Sequence, residues 1–396
     1  MTTKDLFYFT GQCLSLDEHP EFREQIIEQF ADATCNPSVP EREAVEGNLK
    51  PDTNNIQNSS FKIQNFVQLC SDHLVIPVIY LKFKKHGILE HLPEELVETL
   101  QTIYELNRER NEQILRQIDD LTAVLNKENI QPVFLKGTAN LLDGLYSDPV
   151  ERMIGDIDFL VSEDDFLKTG AVLESNGYRH GEKISYVDFT SRKHYPGLEK
   201  KGEPADVEIH RIAISDRYSA AISPEEIIRD RKPVAGKNGI FVPSDAHKLT
   251  HTFAHDQLED SGHAFKLSGF RGIYDLYLLS KRMSGPLLNE QIRYRKQAVA
   301  WLVFSQRVLG LPGRFYSPEP PSAKRYCLKY DFSLSFPKTY NAYTLLKKLI
   351  HLIGYRYLGG FVKAIFLKKE RQYLIRRLSN PIWYREHWEH YKSYFS

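Results

Sequence analysis

The sequence predicts an α+β protein whose two ends are helical and whose middle part contains short strands. Between residues 95 and 125, apolar side chains recur mostly every three or four positions, which is typical of an amphipathic helix. From 131 to 212, short apolar runs such as ISYVDFT (184–190) alternate with helix-like stretches, as expected for a compact α+β domain. After about residue 235 the helical spacing returns, as in DAHKLTHTFAHDQL and FKLSGFRGIYDLYLLSKRM.

These changes of pattern divide the chain into three parts. Residues 1–125 form a helical N-terminal region with a polar connector at 36–60, residues 126–235 form the core domain, and residues 236–396 form a helical C-terminal region. Two or three domains suit a chain of 396 residues, because single hydrophobic cores rarely extend beyond about 250–300 residues. We expect the C-terminal helices to form a wall of any cleft in the core domain.

Charge is distributed unevenly along the chain although the formal net charge is zero. Residues 1–60 hold 11 acidic and 4 basic side chains, whereas residues 321–396 hold 4 acidic and 15 basic ones. The basic C-terminal part could contact an anionic membrane or an RNA, or the acidic end of the chain itself. A solvated basic face is the plainer interpretation, and the many leucines and aromatics there are also typical of a helical core.

Several features predict a cytoplasmic protein. The four cysteines are far apart and form no CxxC pair, so they indicate neither a zinc site nor a disulfide framework. The start of the chain, MTTKDLFYF, lacks the basic and then apolar layout of a signal peptide. No apolar run approaches the ~20 residues that a transmembrane helix needs.

The stretch ERMIGDIDFLV, residues 151–161, places two aspartates at the start of an apolar strand. Residues two apart on a strand point to the same face, so Asp156 and Asp158 project side by side and repel each other unless cations lie between them. Their oxygens suit Mg²⁺, with Mn²⁺ as the alternative, and two such ions about 3.5–4 Å apart can clamp the reacting oxygens of a phosphoryl or nucleotidyl transfer. A solvent-facing strand edge is the plainer interpretation, but apolar residues follow Asp158 directly.

A third carboxylate is expected on a later strand. In ADVEIHRI, residues 205–212, apolar and polar side chains alternate, so Glu208 and His210 share the polar face. If this strand lies beside the one that carries Asp158, Glu208 completes an acidic triad. His194, on the preceding strand of the same hairpin, could approach the triad too. We take His194 and His210 as candidate substrate contacts, with ordinary strand positions as the alternative.

The stretch VFLKGTANLL, residues 133–142, predicts a strand, a tight glycine turn and the start of a helix. Free backbone N–H groups and the positive end of a helix dipole suit phosphate, so Gly137 marks a candidate triphosphate site. Thr138 can add a hydroxyl and Lys136 a point charge, and Arg152 could grip another phosphate oxygen. Alternatively, Gly137 only forms a turn, and Lys136 and Arg152 form local ion pairs.

The ordered set LKGTANLL, then R-x3-DIDFLV, then VEIHR resembles the DNA polymerase beta-like nucleotidyltransferase superfamily. It is most similar to a branch of largely uncharacterised bacterial nucleotidyltransferases. The motif resemblance covers residues 131–212, and the helices through about 282 also look like that branch. Gly-Thr stands here where the wider superfamily commonly has Gly-Gly or Gly-Ser.

This resemblance implies a mixed β-sheet flanked by helices and the Mg²⁺-dependent transfer of a nucleoside monophosphate from an NTP to a hydroxyl acceptor. Asp156, Asp158 and Glu208 would hold the metal ions, and Glu208 would also orient or deprotonate the acceptor hydroxyl. Gly137 and Thr138 would hold the triphosphate. The acceptor stays open between a small molecule, a protein and an RNA end, and so does the base of the nucleotide.

Two other functions stay open. The same fold could bind a nucleotide or a partner without chemistry. His247, His251 and His255 recur every four residues along one helix face, and histidine pairs at this spacing can bind zinc. His255-Asp256 also resembles the core of HD-type phosphohydrolases, so a metal-dependent phosphohydrolase centred on residues 247–256 is the second alternative. Packing of this helix on the core is the plainer interpretation.

Overall fold

A computed structural model of the chain describes residues 1–31, 53–181, 193–288, 292–351, 358–381, 384–385 and 388. The architecture is α+β, as predicted, with a seven-stranded sheet among many helices. The chain divides into two compact units, Met1–Asp331 and Phe332–Ser396. The predicted strand at 184–190 and Cys35 lie outside the described residues, and the other three cysteines are buried without a disulfide.

Helices precede the sheet in the first unit. They are α1 (Thr3–Leu14), α2 (Phe22–Ala31), α3 (Thr53–Asp72), α4 (Ile76–Lys85) and α5 (Glu94–Lys127). The first begins at a capping box, in which the Thr2 side chain accepts from the Asp5 N–H and the Asp5 carboxylate accepts from the Thr2 N–H. Helix α3 begins inside the predicted polar connector, whose residues up to 52 lie outside the described part of the chain.

The sheet is mixed and has the strand order β3-β4-β5-β2-β1-β7-β6. Its strands are β1 (Val133–Phe134), β2 (Asp156–Leu160), β3 (Arg179–His180), β4 (Leu198–Glu199), β5 (Asp206–His210), β6 (Lys232–Pro233) and β7 (Phe241–Val242). Strands β2 and β5 pair in parallel, as do β1 and β7, and the other pairs are antiparallel. The helices between strands are α6 (Lys136–Leu142), α7 (Phe166–Ser175) and α8 (Pro224–Arg229).

The core lies on one face of the two central strands. Ile157 and Phe159 of β2 and Val207 and Ile209 of β5 are fully buried in one cluster with α5 and α7. Each such side chain contributes about 1.5–3 kcal/mol by leaving water. Because strand side chains alternate, this burial turns the residues between them, which carry the carboxylates, to the opposite face of the sheet.

Further helices follow the sheet in the chain, and those that carry residues 251–256 and 271–275 form a wall over this opposite face. The helices that follow are α9 (Asp245–Phe253), a π-helical turn (Ala254–Glu259), α10 (Gly262–Phe265), α11 (Phe270–Arg282), α12 (Arg295–Val308) and α13 (Pro321–Ser335). Helix α9 begins at Ser244, whose side chain accepts from the His247 N–H, and it packs against α6 and α11. The sheet and this wall therefore enclose a cleft.

The second unit contains α14 (Pro337–His351), α15 (Gly359–Phe366) and α16 (Lys368–Leu378). Arg371 of α16 donates to the carbonyl oxygens of Ala364 and Ile365 at 3.0 and 3.1 Å, which joins α16 to the end of α15. In the described part of the chain no single helix is long and apolar enough to cross a membrane. One bent pair, Ile63–Asp72 with Ile76–Lys85, meets that criterion only when its two segments are taken together.

Candidate active site

Strands β2 and β5 bring the predicted acids together. Their parallel register pairs Asp158 with Glu208 and Asp156 with Asp206. The ligand atoms of Asp158, Glu208 and His210 all lie within 4.8 Å of one another, and within the described residues these three side chains form the group compact enough to hold a metal ion. Two of the three predicted acids, Asp158 and Glu208, thus meet, and the third member of this compact group is His210 in place of the predicted Asp156.

His210 connects the two acids. Its Nε2 lies 2.8 Å from Asp158 Oδ1 and 3.4 Å from Glu208 Oε2. The imidazole is fully buried, and its Nδ1 has no hydrogen-bond partner. The His194 ring lies beside it, with ring centroids 5.4 Å apart. The prediction that His210 contacts substrate stays a prediction, and the observed contacts of its imidazole with both carboxylates fix their orientation.

Asp158 and Glu208 are strongly ionised in this setting. Burial opposes the charge on Asp158, but the hydrogen bonds from His210 and Lys136 and their positive charge hold the pKa of this carboxyl well below its usual value. The hydrogen bond from His210 lowers the pKa of Glu208, against the effect of burial, and the neighbouring His194 lowers it further. Both groups are therefore carboxylates at neutral pH.

Asp156 has the opposite electrostatic environment. Burial raises the pKa of this carboxyl, and repulsion from Asp158 and Glu208 raises it further, although Lys136 opposes the effect. The negative charge at Asp156 is therefore not balanced by the protein alone. A divalent cation among the three carboxylates would remove this repulsion, and carboxylate oxygens are the ligands that Mg²⁺ and Mn²⁺ prefer. The residues present thus fit such an ion.

Lys136 is the cation closest to the acids. Its Nζ donates to Asp158 Oδ1 at 2.6 Å. Burial disfavours the ammonium, yet Asp158 and, further away, Asp156 and Glu208 raise its pKa above the usual value. The backbone of Lys136 has a φ of +50°, an uncommon conformation for a residue with a side chain. Such strain often marks a functional position.

The cleft above the sheet is lined by residues of α6, β2, α9, the π-helical turn and α11, and by Arg152 from the segment before β2. Lys136, Gly137, Thr138, Arg152, Asp156 and Asp158 line one side, and His251, His255, Asp256, Arg271 and Asp275 line the other. Six of the nine predicted site residues therefore face one cleft. Glu208 and His210 lie next to Asp158, on the neighbouring strand β5, and His194 pairs with His210 from the other side.

Arg152 is buried with unused hydrogen-bonding capacity. Its Nη2 lies 3.3 Å from Asp275 Oδ2, whereas its Nε and Nη1 have no partner. Gly137 makes room for the guanidinium, because a Cβ at this position would lie 3.1–3.3 Å from Nε, Cζ and Nη2 of Arg152. The sequence predicted Gly137 in a turn, but it lies in the first turn of the seven-residue helix α6. Thr138 is buried beside it and donates to the Asp156 carbonyl oxygen at 3.3 Å.

The three histidines of the 247–255 stretch have separate partners. His247 Nε2 lies 4.0 Å from Asp230, His251 Nε2 lies 3.0 Å from the Ala213 carbonyl oxygen, and His255 Nδ1 lies 3.0 Å from Asp260. Burial, together with the neighbouring His255 and Lys136, lowers the pKa of His251 well below its usual value. These contacts suit packing and cleft lining, and the compact metal-ligand group of the described residues lies on β2 and β5 instead.

Arg271 is the cleft residue that the sequence did not single out. It lies in the first turn of α11, where Phe270, Ile273 and Tyr274 are buried. The positive charge of Arg152, followed by burial, lowers the pKa of the Arg271 guanidinium. The one signal for Arg271 in the sequence was a basic residue among the core positions of an amphipathic helix. This signal can be interpreted only when the position of α11 in the fold is known.

A mixed sheet with paired strand acids, flanked by helices and facing a cleft with basic side chains, is the arrangement of a nucleotidyltransferase domain. A family model described as uncharacterised nucleotidyltransferase matches residues 59–317. The chain therefore belongs to this nucleotidyltransferase family, as the sequence predicted. No curated protein matches the chain. The matched range contains the whole sheet and every residue of the cleft named above.

Proposed function

We propose that this protein is an Mg²⁺-dependent enzyme that transfers a nucleoside monophosphate from an NTP to a hydroxyl acceptor and releases pyrophosphate. The observation that carries the proposal is the parallel pairing of Asp158 with Glu208, which brings a carboxylate that lines the cleft next to a second carboxylate on the neighbouring strand. The acceptor class is a small molecule, a protein or an RNA end.

Asp156, Asp158 and Glu208 are the residues that would hold the metal ions. A bound divalent ion supplies positive charge that stabilises the negative charge developing on the phosphoryl oxygens and the leaving pyrophosphate. His210 keeps Asp158 and Glu208 in fixed orientations, because its Nε2 is within 3.4 Å of both carboxylates. Preorganised groups of this kind avoid the cost of rearrangement during the reaction.

Glu208 is the side chain that would accept the proton of the acceptor hydroxyl. In the reaction a bond forms between the acceptor oxygen and the α-phosphorus, and the bond from the α-phosphorus to the bridging oxygen breaks. The hydroxyl proton passes to a base, and pyrophosphate leaves with its negative charge. Glu208 suits the role of base since it is ionised at neutral pH and about 28% exposed, unlike the buried Asp158.

Lys136, Arg152, Gly137 and Thr138 would bind the triphosphate. Lys136 supplies a point charge beside Asp158. Arg152, which lies against Gly137, supplies two nitrogen donors without partners, Nε and Nη1. A planar guanidinium matches the geometry of phosphate oxygens, whereas an ammonium acts as a compact charge. This division of roles accounts for one lysine and one arginine on the same side of the cleft.

Incubation with labelled substrates tests the proposal. The purified chain is mixed with each NTP labelled at the α-phosphate, with Mg²⁺ and cell extract, and both the label and released pyrophosphate are followed. We expect label on one acceptor class, and a loss of about 10²–10⁴-fold in Glu208→Gln. Glu199→Gln is the matched control, because Glu199 is exposed on the adjacent strand β4. Wild-type transfer in both Asp158→Asn and Glu208→Gln would contradict the proposal.

A binding module without chemistry is the second candidate, and the Lys136 contact favours it. Asp158 is already neutralised by the ammonium at 2.6 Å, so the fold does not require a metal ion at this position. A binding module retains nucleotide affinity in Glu208→Gln and releases no pyrophosphate from any NTP. Measurement of nucleotide affinity alongside pyrophosphate release therefore separates the two candidates.

A further inference from the structure

The guanidinium groups of Arg152 and Arg271 line the same cleft, whereas most arginine side chains lie on the protein surface. The Arg152 side chain is only 9% exposed. Arg271 is half-buried and lines the same cleft, and it forms no hydrogen bond or ion pair with any side chain of the described residues. The effect of Arg152 on Arg271 is repulsive, as the lowered pKa of Arg271 also indicates. Like charges held together in this way need an opposite charge nearby.

The protein supplies only part of that opposite charge. Asp275 Oδ2 lies 3.3 Å from Arg152 Nη2. The other oxygen, Asp275 Oδ1, accepts a hydrogen bond from the Tyr146 hydroxyl at 2.6 Å. The carboxylate of Asp275 acts on both guanidinium groups and that of Asp156 acts on Arg271 as well, yet Nε and Nη1 of Arg152 remain without partners. A buried charged donor without an acceptor is costly, so an anion from outside that accepts from Arg152 would stabilise the arrangement.

The position of these arginines relative to the acids identifies the anion. Gly137 lies against the Arg152 guanidinium, and the preceding residue, Lys136, contacts Asp158. The two-arginine site is therefore adjacent to the acidic site in the same cleft. A triphosphate that places its α-phosphate at the acids would extend its far end toward the arginines. The fork of an arginine matches two oxygens of a terminal phosphate.

We infer that Arg152 and Arg271 together bind the terminal phosphate of the NTP, so that the site selects nucleoside triphosphates over diphosphates. The inference rests on the proposed function, since it names the part of the substrate that this side of the cleft takes. Arg271 is the specificity-determining residue, because it comes from α11, outside the sheet, and has no other partner among the described side chains. The ion pair with Asp275 fixes the Arg152 guanidinium, which in turn positions the phosphate.

Binding of ATP, ADP and inorganic tripolyphosphate to the full chain tests this inference. Calorimetry with the wild-type protein should show tighter binding of ATP than of ADP, and binding of tripolyphosphate without any base. Arg271→Gln should weaken binding of ATP and tripolyphosphate by about tenfold to a hundredfold and change ADP binding little. Arg271→Lys should recover part of the loss. Arg229→Gln is the control, since Arg229 is exposed and paired with its neighbour Asp230.

The outcomes separate this inference from the proposed function. The inference is overturned if the ratio of ATP affinity to ADP affinity is the same in the wild type and in Arg271→Gln. It is also overturned if the wild-type protein does not bind tripolyphosphate. Tripolyphosphate binding that depends on Arg271, in a protein that releases no pyrophosphate from any NTP, supports the anion site and contradicts the transferase reaction. The Arg271 variant is preferred over an Arg152 variant because Arg152 is buried beneath Gly137 and its removal would also disturb the fold.

Discussion

Lys136 Nζ and Asp158 Oδ1 form an ion pair at 2.6 Å, although Asp158 is one of the three candidate metal-binding acids. The same carboxylate oxygen is contacted by His210 Nε2 at 2.8 Å. A divalent ion that binds Asp158 must therefore share this oxygen with the ammonium or displace it. When it is displaced, the Lys136 side chain becomes free to contact the phosphates of the substrate.

Replacement of Lys136 tests this competition. We expect Lys136→Gln to bind Mn²⁺ several-fold more tightly than the wild type when no nucleotide is present, because a positive charge next to the ion is removed. The same variant should bind NTP more weakly. Mn²⁺ titration followed by electron paramagnetic resonance gives the first quantity and calorimetry the second. Unchanged Mn²⁺ affinity would mean that the ammonium and the ion occupy separate places.

The two aspartates of β2 should affect stability with opposite signs in metal-free protein. A carboxyl with a lowered folded pKa stabilises the fold above its unfolded value, here 3.8, and Asp158 is such a group. Asp158→Asn should therefore lower the free energy of unfolding at pH 7 by about 1–3 kcal/mol, the size of a hydrogen bond to a charged group. Asp156 has a raised pKa, so its ionisation costs stability at neutral pH, and Asp156→Asn should raise the free energy of unfolding.

Urea unfolding with a chelator present, repeated at several pH values, measures both effects. The wild type should lose the contribution of Asp158 as the pH falls below about 3.8, and Asp158→Asn should show a weaker dependence in that range. The gain in Asp156→Asn should disappear at acid pH, where the wild-type carboxyl is neutral too. Added Mg²⁺ should raise the free energy of unfolding of the wild type most at pH 7, so that Asp156→Asn is then less stable than the wild type. A stability change of the same sign in the two variants would argue against the electrostatic account.

A methyl group at Gly137 should impair phosphate binding and leave the fold intact. The added Cβ would lie 3.1–3.3 Å from the Arg152 guanidinium and displace it, while alanine is a better helix former than glycine. We expect a drop of about tenfold in NTP affinity with no loss of thermal stability. Gly197→Ala is the matched control, because no heavy atom lies within 4 Å of its added Cβ. NTP affinity equal to that of the control would show that Arg152 does not contact the nucleotide.

His210 should act by positioning the acids. Replacement with Gln removes the imidazole that contacts Asp158 and Glu208, and loss of such an orienting group usually weakens metal affinity or activity about 10–100-fold. Mn²⁺ affinity is the informative measurement, because a role in substrate contact alone would leave it unchanged. His247→Gln provides the comparison, since His247 is at the far end of α9 from the π-helical turn.

The part of the site that depends on strand alternation was predictable from the sequence. Val207 and Ile209 are buried and Glu208 faces the cleft side, as the period of two in ADVEIHRI indicates. The neighbour relationship of β2 and β5, strands about 50 residues apart in the chain, was a condition of the predicted triad, and the structure meets it. The roles of Asp156, Asp158 and Glu208 in metal binding stay predictions.

Tertiary contacts account for what the sequence did not reveal. Arg271 carries no motif, and its relation to Arg152 exists only because α11 packs over the cleft. Helix α6 begins at Lys136 and includes Gly137, so this glycine does not form a separate turn. The close approach of the Arg152 guanidinium explains why a residue without a side chain lies there. His210 was open between two interpretations because its position between two carboxylates depends on the register of β2 and β5.

The central claim is that acids from β2 and β5 share divalent ions, and diffraction tests it most directly. Crystals grown with Mn²⁺ and a non-hydrolysable NTP analogue give anomalous peaks that locate each ion. The account predicts a peak about 2 Å from carboxylate oxygens of Asp156 and Asp158, with Glu208 in the same ligand set. A peak at His247, His251 and His255 instead, or bound nucleotide with no ion at the three acids, would contradict it.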